Sequence, residues 1–156
     1  MRETALKRAL VGLLAVVAVA ILAGCGQSAT AAGQGAATGG GAPGATTVDI
    51  LYLNHSPLRP VLDEVDKVLA KYGDKVKITR YDAETQQGEA FAKSKGITQH
   101  EPLAIFINGS AEAKVNGRQV KFFSFPQGQG TGMVQDGAWS MQDLDAALAQ
   151  ATGTKQ

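Results

Sequence analysis

All nine aromatic residues of this 156-residue chain lie after position 47. Large apolar side chains carry most of the area that a small core buries. Whatever folds must therefore fold within the 109 residues from Val48 to Gln156, enough for one modest domain. The first 47 residues instead hold nine of the 19 glycines and the one cysteine, Cys25. Averages hide this split: 44% hydrophobic, 19% charged, formal net charge +1. They exclude a collagen-like or highly charged disordered chain. They also lack the basic excess of a nucleic-acid binder, so no nucleic-acid partner is expected.

The front part reads as an address. Met1 to Arg8 is short and basic, and Ala9 to Ala23 carries no charge. Fifteen residues are too few for a membrane span, which needs ~20, and fit the apolar region of a secretory signal. The run ends in Leu22-Ala23-Gly24-Cys25, which resembles the lipobox of bacterial lipoproteins. That resemblance implies cleavage between Gly24 and Cys25, acylation of Cys25 by diacylglycerol and a palmitate-type chain, and an extracytoplasmic protein anchored to a membrane by lipid. An acylated Cys25 leaves no thiol for a disulfide, a metal or a nucleophile. Several acyl chains anchor strongly, at ~0.8 kcal/mol per buried methylene. Gly26 to Thr47 has no charge, aromatic or large aliphatic residue, and is expected to remain a disordered tether spanning roughly 25 Å r.m.s.. The expected organisation is thus signal peptide 1–24, lipidated cysteine and tether 25–47, and domain 48–156.

Within the domain, Val48 to Leu53 has β-formers on both faces and suits a central strand. Pro57 can open a helix whose apolar face is Leu58, Val61, Leu62, Val65, Val68, Leu69 and Tyr72, with a stop at Gly73. On that helix Asp63 and Lys67 are spaced for an i,i+4 pair. Lys75 to Tyr81 alternates with period two. Thr85 to Lys95 reads as a shorter helix, and Pro102 to Ile107 as a strand closed by Asn108-Gly109. Asn116-Gly117 signals another hairpin, between Lys114-Val115 and Val120–Phe125. Ser140 caps a final helix with Asp143 three residues on. The expected class is α/β, a mixed central sheet with helices on both faces, in the order β-α-β-α-β-β-α.

These pieces resemble the thioredoxin family in order and spacing: Ile50–Leu53, Val61–Val76, Tyr81–Glu84, Ala92–Ile97 and Glu101–Gly109. The resemblance covers nearly all 109 residues and implies a thioredoxin-like fold. The family's Trp-Cys-Gly-Pro-Cys falls on Asn54-His55-Ser56-Pro57-Leu58, so both redox cysteines are replaced. Thiol–disulfide exchange needs an attacking thiolate and a resolving thiol; neither is present, and no oxidoreductase activity is expected. Pro102 matches the family's cis-proline, beside which substrate backbone binds.

Three functions remain open at the sequence level. The first is a non-enzymatic module of the cell envelope that binds an extended peptide or protein partner in a groove formed by Asn54, His55, Ser56, Pro57, Glu101 and Pro102. The second is a metal-binding or hydrolytic site using His55, His100 and Glu101, with His55 and Glu101 as an acid–base pair. The third is a scaffold without a working groove. No cofactor is expected. Gln127-Gly128-Gln129-Gly130-Thr131-Gly132 lacks the Lys-Ser/Thr of a phosphate loop and reads as a hairpin tip near the binding face.

Overall fold

The computed structural model describes residues 42, 44–131 and 135–155. The signal segment, Gly24, Cys25 and the tether up to residue 41 lie outside the described residues. Strand β1 (Thr46–Tyr52) is flanked on both edges: β2 (Val76–Asp82) pairs with it in parallel and β3 (Leu103–Ile107) antiparallel. Cover on both faces is why the consecutive residues Ile50 and Leu51 are both buried. Val48 and Ile50 have no exposure on one face, and Leu51 has 1% on the other. The strand starts two residues before the expected domain boundary. Thr46 is buried, with its hydroxyl donating to the Ala151 carbonyl at 3.0 Å.

Helix α1 (Arg59–Ala70) follows a short 3-10 turn, Ser56–Leu58. Pro57 falls in that turn, and Pro60 occupies the first turn of α1, where a missing N–H costs nothing. Val61, Val65, Val68 and Leu69 point inward at helical spacing. Full burial of each such side chain contributes ~1.5–3 kcal/mol. The expected Asp63–Lys67 pair gives way to Lys67 donating to Glu64 at 2.6 Å, one turn position nearer. Lys71 reaches across to Asp145 at 3.0 Å.

Helix α2 (Gln86–Ser94) is capped by the Thr85 hydroxyl, which accepts from the Gly88 N–H. Helix α3 (Met141–Thr152) carries the full capping box: Ser140 accepts from the Asp143 N–H, and the Asp143 carboxylate accepts from the Ser140 N–H. Helices α1 and α3 pack with β1 and β3 in one cluster that includes Ile50, Ile105, Phe122, Trp139 and Leu148. Leu51, Ala104 and Phe106 form a second cluster on the other sheet face, against Phe91 and Ala92 of α2.

The element order is β-α-β-α-β-β-β-α, one strand more than expected. The Asn116-Gly117 turn, with both residues at positive φ, closes a hairpin of β4 (Glu112–Val115) and β5 (Arg118–Lys121) that is a sheet of its own. The expected Val120–Phe125 strand therefore divides. Phe122 to Ser124 leaves the hairpin and hydrogen-bonds to β3 through Ile105 N–H to Phe122 O and Ser124 N–H to Leu103 O. Phe122 and Phe123 point to opposite faces: Phe122 meets Trp139 edge-on at 5.6 Å, and Phe123 meets Phe106 at 6.2 Å. Among the described residues no helix is long and apolar enough to cross a membrane.

Candidate functional site

Parallel β1 and β2 both end at one edge of the sheet, where ligands of open α/β sheets bind because the chain diverges after the strands. Two hydrogen bonds frame the end of β1. The Ala83 N–H donates to Tyr52 O at 2.8 Å, and the Leu53 N–H donates to Pro102 O at 3.0 Å. These bonds draw three loops together: 53–58 after β1, 83–85 after β2, and 98–102 before β3.

A cavity of about 510 Å³ opens there, bordered by Leu53, His55, Pro57, Leu58, His100, Glu101, Pro102, Ser124, Phe125, Thr131 and Gln135. A smaller cavity of about 190 Å³ adjoins it, sharing Leu53, His100 and Glu101 and adding Glu84, Glu89 and Lys93. Of the six residues expected to form a groove, His55, Pro57, Glu101 and Pro102 border the larger cavity. Asn54 and Ser56 are exposed on the same loop, outside its lining.

The partners differ from those expected. His55 does not pair with Glu101; its Nε2 lies 3.1 Å from Glu84 Oε1, both side chains about half exposed. The reason is topological: parallel pairing of β1 with β2 sets the residues just past their ends side by side. His100 borders both cavities. Among the described residues no three histidine, cysteine, aspartate or glutamate side chains gather to hold a metal. The Glu101–Pro102 bond is trans, as is every peptide bond among the described residues, against the cis bond implied by the thioredoxin resemblance. The Pro102 carbonyl extends the β1–β3 ladder by one step in this geometry.

Glu101 is the least satisfied group of the site. Its Oε1 is shielded from solvent without a hydrogen-bond partner. Burial pushes its carboxyl above the ordinary glutamate range, while the Ser124 N–H and the Lys121 ammonium pull the other way. Asp49, beneath α2, is also raised by burial, opposed by Lys95, Thr79 and Lys77.

Sequence reasoning assigned no role to Glu84, Ser124 or Phe125. Glu84 was accessible from the parallel pairing of the first two strands. Ser124 and Phe125 were not, because they reach the site only when the chain leaves the β4–β5 hairpin and returns to β3. Compared with known protein families, curated proteins and solved structures, the chain shows no match.

Proposed function

We propose that this protein is a non-enzymatic, lipid-anchored module of the bacterial cell envelope with a thioredoxin-like domain, and that its groove holds an extended segment of a peptide or protein partner. The observation that carries this reading is the cavity of about 510 Å³ at the end of β1, walled by Leu53, Pro57, Pro102 and Phe125. Apolar walls with a few polar groups suit a chain segment whose side chains enter the slot while its backbone stays outside. Support for the finer thioredoxin-like assignment comes from the β1-α1-β2 unit with parallel strands and from antiparallel β3. Residues 42–155 contain no cysteine, so thiol exchange has no nucleophile there.

Phage display of linear heptapeptides against the full chain in detergent micelles tests the groove. Enriched peptides are expected to lose binding when His55→Trp fills the slot. Enrichment that His55→Trp leaves unchanged, or none above the detergent control, overturns the reading. The full chain is expected not to accelerate insulin disulfide reduction, and measurable turnover would refute the non-redox assignment.

A further inference from the structure

Resting on the peptide-groove reading, we infer that this groove takes a basic side chain, lysine or arginine, with the Glu101 carboxylate as its counter-ion. Three observations converge on it. Glu101 Oε1 lies buried with no donor, and a carboxyl oxygen left unsatisfied costs more than almost any other buried polar atom. Glu101 as a whole is only partly buried, so rotation of its side chain presents the carboxylate to the cavity. Such rotation relieves the penalty whenever a donor enters.

The charge around the groove is complementary to a cation. The two adjoining cavities are bordered by three carboxylates, Glu84, Glu89 and Glu101, against one ammonium, Lys93. Glu84 is engaged by His55. Among the described residues no lysine or arginine forms an ion pair with Glu101. Lys121, the nearest cationic influence on it, holds its Nζ over the Phe123 ring at 4.3 Å.

The wall chemistry fits the stem of such a side chain. Leu53, Pro57 and Phe125 line the larger cavity. Lysine and arginine lay three or four methylenes along apolar surface while the charged head seeks a polar partner. An aliphatic side chain alone leaves Glu101 unpaired, and an acidic one adds repulsion.

The test uses capped hexapeptides, acetylated and amidated so that no terminal charge competes, presented as a positional-scanning library to the full chain in neutral detergent. Arginine or lysine is expected to be selected at one position. Replacing the selected arginine by neutral, isosteric citrulline is expected to weaken binding about tenfold or more, the scale of one charge-assisted hydrogen bond. Glu101→Gln is expected to erase that difference while citrulline peptides bind as before, and Trp139 fluorescence verifies that the variant folds. Should it not fold, the arginine–citrulline comparison on the unaltered chain decides. Peptides that bind with no preference for a basic residue overturn this inference and leave the groove reading standing. Absence of binding by any hexapeptide at millimolar concentration overturns both.

Discussion

At the residue scale, single atoms decide what positions tolerate. Gly88 lies in the first turn of α2, and a Cβ built there would collide with the Asp82 carbonyl oxygen. Alanine ordinarily gains about 1 kcal/mol over glycine in a helix interior. Here the clash is with backbone that cannot turn aside, so Gly88→Ala is expected to destabilise by about 1–3 kcal/mol, the range for overpacking. A lowered urea midpoint, followed by Trp139 fluorescence, checks this; an unchanged or raised midpoint contradicts it. Trp139 suits the measurement because it has no exposure and its Nε1 donates to the Phe123 carbonyl at 2.9 Å. The close approach at Gly88 was invisible in the sequence, where its spacing marks only a tolerated helix glycine.

At the element scale, α3 combines local and tertiary devices. Ser140→Ala is expected to cost about 1 kcal/mol through loss of the cap, read as a shift in urea midpoint. Asp143 serves both the cap and Arg118, whose guanidinium lies 2.8 Å away. Burial pushes its carboxyl up, but the Ser140 hydrogen bonds and Arg118 outweigh that and hold it below the usual range. Asp145 is held down likewise, burial being outweighed by Tyr72 and Lys71. A depressed carboxylate adds stability above its unfolded pKa, ~3.9, which is lost as pH falls through the folded value. Glu101 and Asp49, raised by burial, act in the opposite sense and favour folding as they protonate. Stability is therefore expected to hold or rise modestly from pH 7 toward 5 and to fall below about pH 4. Asp143→Asn should lower stability at pH 7 and flatten the acid limb. An acid limb as steep as that of the unaltered chain would show that Asp143 does not contribute.

At the scale of the whole molecule, the tether reading has a direct test. Cys25→Ser is expected to move the protein from the detergent-rich to the aqueous phase in cloud-point partitioning, with the domain's unfolding midpoint unchanged. Continued partition into detergent argues against an anchor at Cys25.

The helix faces, the Ser140 cap, the stop at Gly73 and the two Asn-Gly turns were legible from residue types and spacing, because each is fixed by interactions within a few positions. What the tertiary structure decided is everything that depends on chains meeting from afar. Parallel pairing gives His55 to Glu84 rather than Glu101. Return of Phe122–Ser124 to β3 makes the hairpin separate and brings Ser124 and Phe125 to the groove. Glu101 Oε1 is shielded from water there without a hydrogen-bond partner. Local spacing encodes which elements form, but the contacts of a site are set by strand pairing across tens of residues, and that pairing is chosen by burial of the whole sheet.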